Sequence, residues 1–166
     1  MKAIVAVSRN WGIGYNNDLL YNIPEDKKFF RRMTLGKVVV MGRKTLESMP
    51  GGKPLKDRTN IVLSRNADYS PEGVSVCGSI EKLSEMLKNY SDDDVMIIGG
   101  AEIYKQFLAE CDTVYITKID DEKQADKFFP DLDKDCAWKM TDCSDEMEYE
   151  GIKYRFCTYT NVGRFH

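Results

Sequence analysis

A chain of 166 residues, 42% apolar and 31% charged, is long enough to bury a core without disulfides or metal and has the composition of an ordinary globular protein folding as one domain. Its 24 basic and 27 acidic residues leave a net charge of -3, which gives no electrostatic reason to expect nucleic acid or an anionic membrane as partner. The sole histidine is the last residue, His166, so His-based triads, a His general base inside the fold and His-rich metal sites are excluded, and interior acid/base work falls to carboxylates, Tyr, Lys or water.

The first apolar run, 3–7, is too short for a signal peptide and ends at Ser8-Arg9, and no segment approaches the length of a membrane span. It reads as a buried strand, as do 37–41, 60–63, 74–77, 95–98 and 113–119. Helical patterns at 25–35, 45–49, 80–89 and 101–108 fall between these runs, and the alternation predicts an α/β domain on a largely parallel sheet. Continuous runs such as Val38-Val39-Val40 and Val95-Met96-Ile97-Ile98 fit strands covered on both faces. After residue 119 the alternation stops. Residues 120–149 read as acidic and irregular, and 152–159 reads as a late strand, antiparallel at or near an edge. No repeat, low-complexity tract or linker marks a domain boundary. The five cysteines, Cys77, Cys111, Cys136, Cys143 and Cys157, form no CxxC pair and are odd in number, which argues against a zinc site and a disulfide framework. Reduced, mostly buried thiols in a cytoplasm are the simplest account.

Four places carry chemistry. Gly12-Ile13-Gly14 follows the first strand, but Asn17 replaces the third glycine of a dinucleotide fingerprint and Pro24 breaks the segment before the first helix. A glycine-bearing loop over 8–23 is the better description, either a lid over a site or a plain surface loop. Asp26, Phe29, Phe30 and Met33 fall at i, i+3, i+4 and i+7, so one carboxylate sits on the apolar stripe of the first helix. Either Asp26 supports the helix N-terminus after Pro24, or it meets a buried partner or a ligand that donates hydrogen bonds.

The remaining places are three strand ends suited to anions. Met41-Gly42-Arg43-Lys44-Thr45 joins a strand to a helix, with Thr45 expected at the N-cap; it is no Walker loop, because a strand separates Gly36 from Gly42. Ile97-Ile98-Gly99-Gly100-Ala101-Glu102-Ile103-Tyr104 repeats that logic, and its paired glycines allow close approach of a backbone or a pyrophosphate. Ile61-Val62-Leu63-Ser64-Arg65 sets a hydroxyl and a cation at a third strand end, where a basic residue suits NADP better than NAD. Capped helices and tight turns without ligand are the plain alternatives for each.

Taken together, these segments resemble the dihydrofolate reductase family over nearly the whole chain. The resemblance is carried by Ile4-Val5-Ala6-Val7, Gly12-Ile13-Gly14, Ile23-Pro24-Glu25-Asp26, Phe30, Val40 through Thr45, Pro54-Leu55 with Arg58, Asn60 through Arg65, Ile98 through Tyr104, Thr117, and Asp126 with Phe129-Pro130. It implies a twisted mixed, mostly parallel sheet of about eight strands flanked by four helices, in a monomeric cytoplasmic enzyme. The implied reaction is NADPH-dependent reduction of 7,8-dihydrofolate to tetrahydrofolate for one-carbon metabolism, with antifolates as inhibitors and no metal. By that similarity Asp26, supported by the Thr117 hydroxyl, would bind the pterin. Phe30, Met49 and Leu55 would pack around pterin and aminobenzoyl ring, with Lys27 beside them. Arg58 would grip the glutamate carboxylate, and the carbonyls of Ile4 and Ile98 would face the pterin edge. Ala6, Ile13 and Gly14 would lie near the nicotinamide and its ribose, with Asn17 and Leu19 also on the cofactor. Thr45 and the turn from Gly99 through Gly100, Ala101, Glu102 and Ile103 to Tyr104 would hold the pyrophosphate, helped by Gly42 and Arg43. Lys44, Ser64 and Arg65 would meet the adenosine 2′-phosphate, near Leu63 and Gly78. The Gly99-Gly100 peptide is cis in the family and is expected to be cis here.

Leu20-Tyr21 departs from the Pro-Trp frequent in bacterial members, and Tyr21 is expected to replace the missing tryptophan as a catalytic group through its hydroxyl. Two rivals share parts of the pattern. A pyrimidine reductase of riboflavin synthesis leaves Asp26 with Phe30, and Arg58, unexplained. A non-catalytic nucleotide-binding module accounts only for the anion-suited turns.

Overall fold

The computed structural model describes residues 1–163; residues 164–166, and with them the only histidine, lie outside the described residues. In chain order the elements are β1 (Lys2–Val7), β2 (Gly12–Tyr15), β3 (Asp18–Leu19), α1 (Pro24–Thr34), β4 (Val38–Gly42), α2 (Arg43–Glu47), β5 (Thr59–Leu63), β6 (Val74–Cys77), α3 (Ile80–Leu87), β7 (Val95–Gly99), α4 (Ala101–Phe107), β8 (Thr113–Asp120), β9 (Lys127–Phe128), β10 (Trp138–Cys143), β11 (Met147–Tyr149) and β12 (Ile152–Asn161). Eight strands lie in the order β10-β12-β8-β1-β7-β4-β5-β6, with β11 paired to β12. The stretch from β8 to β6 is parallel throughout, while β12 runs antiparallel to both β8 and β10.

Period-two alternation along the central strands divides the core between the two faces of this sheet. Val38, Val40, Val95 and Ile97 pack with Leu83 and Leu87 of α3 and with Ile103 and Phe107 of α4. Val39, Met41, Met96 and Ile98 pack on the other face, where Phe29, Phe30 and Met33 of α1 and Leu46 of α2 cover them. Both faces are therefore buried, which accounts for the unbroken Val/Ile runs. The mostly parallel eight-strand sheet with four helices matches the expected architecture. No helix among the described residues is long and apolar enough to cross a membrane.

Three local expectations need correction. Residues 120–149 are not irregular, since β9, β10 and β11 all lie there. The signal was missing because β9 is exposed and only Trp138 of β10 is buried, so neither shows an apolar run or a clean alternation. The 8–23 segment likewise holds the β2–β3 hairpin, turned at Asn16 and Asn17 with φ of 51° and 62°, and β9 pairs with β2 to make a second, three-stranded sheet. Finally, α2 begins at Arg43 with Gly42 as its N-cap residue, so Thr45 is the third helical residue and not the cap.

Candidate active site

The site forms where the sheet splits. Pairing of β1 with β7 ends at Ala3 and Ile97, whereas β1 stays paired with β8 as far as Val7 and Lys118. On its other side β7 slips in register, pairing Val40 with Ile97 and then Met41 with Gly99, so Ile98 is skipped. The backbones of Ile4 and Ile98 thus flank the opening between diverging strands, the place where open α/β sheets collect ligands. The Tyr104 hydroxyl of α4 reaches into this opening and donates to the Ile4 carbonyl at 2.6 Å.

Asp26 stands in the first turn of α1, behind Pro24 at the start of the helix. The Ile23 carbonyl accepts from the amides of Asp26 and Lys27 at 3.0 and 3.1 Å, fixing this turn. The carboxylate is half-buried, and Thr117 Oγ1 of β8 donates to its Oδ1 at 2.5 Å. Burial pushes the Asp26 carboxyl above the ordinary carboxylate range, and the Thr117 hydroxyl pulls less strongly the other way. Among the described residues Asp26 forms no ion pair. The helix start and the aim of the carboxylate are therefore compatible readings, because a single residue serves both.

The helix stripe continues into an apolar wall. Phe30, Met33, Met49 and Leu55 are half-buried and pack on Ile4, Met41, Leu46 and Ile98. Phe29, packed on the same cluster, also reaches β12, where its ring stacks on Phe156 at 4.3 Å between centroids. Lys27 is exposed on α1. Arg58 lies at the far end of this wall. Its Nε donates to the Lys56 carbonyl at 2.8 Å and its Nη1 to Thr34 Oγ1 at 3.1 Å, so Nη2 and the rest of the fork stay available to a carboxylate. Burial and the neighbouring Arg31 lower the pKa of this guanidinium.

Tyr21 is not brought to Asp26 by a hydrogen bond. Its hydroxyl donates to Asp121 Oδ2 at 2.9 Å, Lys123 Nζ sits 4.6 Å from its ring centroid, and burial together with Asp121 pushes the phenol well above its ordinary range.

The glycine turns converge across the split. The Gly99-Gly100 peptide is cis, as expected, and Gly99 has φ of +138°, a backbone that side chains rarely adopt. A Cβ on either glycine would lie 3.3 Å from Thr45 Oγ1, and one on Gly42 would lie 3.5 Å from Ile103 Cγ1 and 4.0 Å from the Gly100 nitrogen. Gly42, Gly99 and Gly100 therefore meet the Thr45 and Ile103 side chains in one cradle, where an added Cβ on Gly99 or Gly100 would crowd Thr45. Arg43 is half-buried, while Lys44 and Glu102 are exposed, with Ala101 half-buried at the start of α4.

Beyond the cradle lies a hollow of about 430 Å³ lined by Ser64, Arg65, Asn66, Tyr69, Gly78 and Lys82, among others. Ser64 is buried and hydrogen-bonded through its amide to the Cys77 carbonyl at 2.9 Å, so Leu63-Ser64-Arg65 is held at the end of β5. On the opposite flank, Ala6 and Ile13 are half-buried and Gly14 is buried, whereas Asn17 and Leu19 project from the hairpin, Leu19 being 72% exposed.

Two contributors were missed from the sequence. Lys82 lines the Arg65 hollow from the first turn of α3, capped by Ser79. A lysine where the helix dipole favours acids was the available signal. Asn60 is buried, and its side-chain amide donates to the carbonyls of Leu55 and Arg58 at 2.9 and 3.1 Å while its Oδ1 accepts from the Leu55 amide at 2.9 Å. It thereby holds the loop that carries Leu55 and Arg58. An asparagine opening the apolar run of β5 was the clue.

Comparison with known proteins agrees with this geometry. The family model described as dihydrofolate reductase matches residues 1–161. A dihydrofolate reductase of Haemophilus influenzae is 41% identical over 152 residues, covering 92% of this chain and 86% of the relative, and one from Sus scrofa is 39% identical over 180 residues, covering 96% of each. A solved dihydrofolate reductase from Enterococcus faecalis, complexed with NADP(H) and RAB-propyl, superposes with a TM-score of 0.85 at 34% identity, covering 96% of this chain and 94% of that one. With a half-buried carboxylate at the sheet split, a glycine cradle beside it and matches over almost its entire length, this chain belongs to the dihydrofolate reductase family.

Proposed function

We propose that the protein reduces 7,8-dihydrofolate to 5,6,7,8-tetrahydrofolate with NADPH, at the split between β1 and β7. The observation that carries this reading is the Asp26 carboxyl, held between solvent and core with one oxygen on Thr117. Its second oxygen can accept from a donor edge of a nitrogen heterocycle such as the pterin 2-amino group and adjacent ring nitrogen. Met49, Leu55 and Phe30 offer the apolar faces on which the ring system and the aminobenzoyl group pack, with the Lys27 stem at the margin. Arg58 carries the fork for the glutamate carboxylate.

The residues fit NADPH. The cradle of Gly42, Thr45, Gly99 and Gly100, with Arg43, Ala101, Glu102, Ile103 and Tyr104, would hold the pyrophosphate. Lys44, Ser64 and Arg65, with Leu63, Gly78 and Lys82 around them, would take the 2′-phosphate. Ala6, Ile13 and Gly14 would border the nicotinamide and its ribose, with Asn17 and Leu19 also on the cofactor, while the carbonyls of Ile4 and Ile98 would face the pterin edge. When bound, the cofactor supplies a hydride. The protein contributes orientation and exclusion of water, and Asp26 polarises the pterin so that the ring nitrogen next to the reduced carbon takes its proton from water. Tyr21 has its own proton committed to Asp121, so the relay in this reading runs through Asp26, Thr117 and water.

We place the enzyme as a single-domain monomer in the cytoplasm, with dihydrofolate and antifolates as its small-molecule partners. Five cysteines, none of them in a disulfide among the described residues, suit a reducing compartment, and the cores on both faces share one sheet. The test is direct. NADPH absorbance should fall when dihydrofolate is added and stay constant with an aminopyrimidine substrate of riboflavin synthesis; the reverse pattern, or no oxidation with either, contradicts the proposal.

A further inference from the structure

The chemistry that dihydrofolate reduction leaves unused is a pair of thiols on the far side of the sheet. Cys143 ends β10 and Cys157 lies in β12, and the antiparallel register sets them directly opposite one another. The Ser144 amide donates to the Phe156 carbonyl at 2.8 Å and the Phe156 amide to Ser144 Oγ at 2.9 Å, so the hydrogen bonds fall on the neighbouring pair. The cysteines therefore face each other across the narrower ladder position, where opposed Cα atoms are about 4.5 Å apart. Disulfides span Cα separations of about 4.4–6.8 Å. The two sulfurs are 2.6 Å apart.

Their surroundings admit a reagent. Both thiols line a hollow of about 390 Å³ in which Lys118 and Arg155 stand beside Asp120, Asp133 and Glu146, room enough for a small uncharged disulfide. Cys143 is exposed and Cys157 buried, which separates an entry thiol from a resolving one. Burial and the adjacent Cys143 hold the Cys157 thiol well above the ordinary range, while Lys118 and Arg155 act in the opposite sense. Cys136, the other exposed thiol, lies in the turn before β10 and is not paired in the ladder.

We propose that Cys143 and Cys157 form a covalent modification site that exchanges with low-molecular-weight disulfides and closes to a cross-strand disulfide. The Cys143 thiolate attacks one sulfur of RSSR, forming the mixed disulfide Cys143–S–SR and releasing one thiolate, which takes up a proton. Cys157 then gives its proton to solvent and displaces the second RS⁻ from Cys143. The protein dithiol loses two electrons, and one RSSR becomes two RSH. Successive β-strand side chains alternate faces, so Cys157 points away from Phe156 and the Phe29 stack beside the reductase cleft. The link closes without touching the site that Asp26 serves.

The experiment incubates the full chain, reduced and desalted, with bis(2-hydroxyethyl) disulfide and reads it by intact and peptide mass spectrometry beside Cys143→Ser and Cys157→Ser. The wild type should lose two hydrogens, yield a 143–157 linked peptide and unfold several degrees higher than its reduced form. Cys157→Ser should stop at the mixed disulfide on Cys143, with Cys157→Ala replacing it if the serine variant does not fold. In Cys143→Ser, Cys157 should react at least about tenfold more slowly than Cys143 does in the wild type. A lasting mixed disulfide on wild-type Cys143, or equal labelling of Cys136 and Cys143 with no link, overturns the proposal. NADPH oxidation by dihydrofolate should stay within about twofold in both redox states; its absence from both would count against the reductase reading and leave the disulfide unaffected.

Discussion

The Thr117 hydroxyl donates to Asp26 Oδ1 across 2.5 Å, tying the middle of β8 to the first turn of α1. This bond opposes the effect of burial on the Asp26 carboxyl. Thr117→Val removes it at nearly constant volume, so the carboxyl should rise further and lose a fixed orientation. We expect turnover to fall about tenfold and the Asp26 inflection in the rate profile to move to higher pH. A profile that keeps its inflection while losing rate would show that Thr117 acts elsewhere.

Tyr21 supplies a contrast. With its hydroxyl on Asp121, Tyr21→Phe should cost about 0.5–1.5 kcal/mol of stability and leave turnover within about twofold. Steady-state kinetics beside denaturant titration separates the two effects. A large loss of turnover at unchanged stability would restore the tyrosine to the proton route.

Arg65 stands with Ser64 and Lys82 around the hollow at the end of β5 and is exposed enough to meet a phosphate. Arg65→Ala should weaken NADPH by about tenfold or more while NADH changes by less than about twofold, measured by fluorescence titration. Equal losses for both cofactors would count against a 2′-phosphate contact.

The raised Asp26 carboxyl also predicts how stability depends on pH. The folded chain holds this proton more tightly than the unfolded chain, whose carboxyl titrates near about 3.9. The resulting stabilisation is complete below that value and is lost as pH rises through the folded pKa. Asp26→Asn keeps the shape and never ionises, so at pH 7 it should unfold at higher temperature than the wild type, and the gap should shrink toward pH 4. Thermal scans across that range test it; a variant less stable at pH 7 than at pH 4, relative to wild type, would contradict the direction.

How much of this was legible beforehand follows from where the signals lie. Continuous apolar runs revealed the buried central strands, because burial on both faces leaves no room for polar residues. The edge was opaque for the converse reason: β9, β10 and β11 bury almost nothing, so no periodicity marked them. The carboxylate on the α1 stripe was readable because helical spacing alone puts Asp26 beside Phe30. The reach of Thr117 to it depends on the register of β8 against β1, which spacing does not show, so only the family resemblance pointed to that pairing. Asn60 and Lys82 act through a loop and a hollow that join distant segments, and their residue types were the only trace of it. Tyr21 was placed by analogy with a missing tryptophan, and its partner Asp121 lies a hundred residues away in a stretch that read as irregular.

The central claim is that Asp26 binds and polarises the substrate. The most direct measurement is single-turnover reduction of dihydrofolate by Asp26→Asn at saturating NADPH, with NADPH affinity taken on the same sample. The account predicts a rate lower by about two decades or more and cofactor affinity within about twofold of wild type. A variant that reduces dihydrofolate at close to the wild-type rate would contradict it.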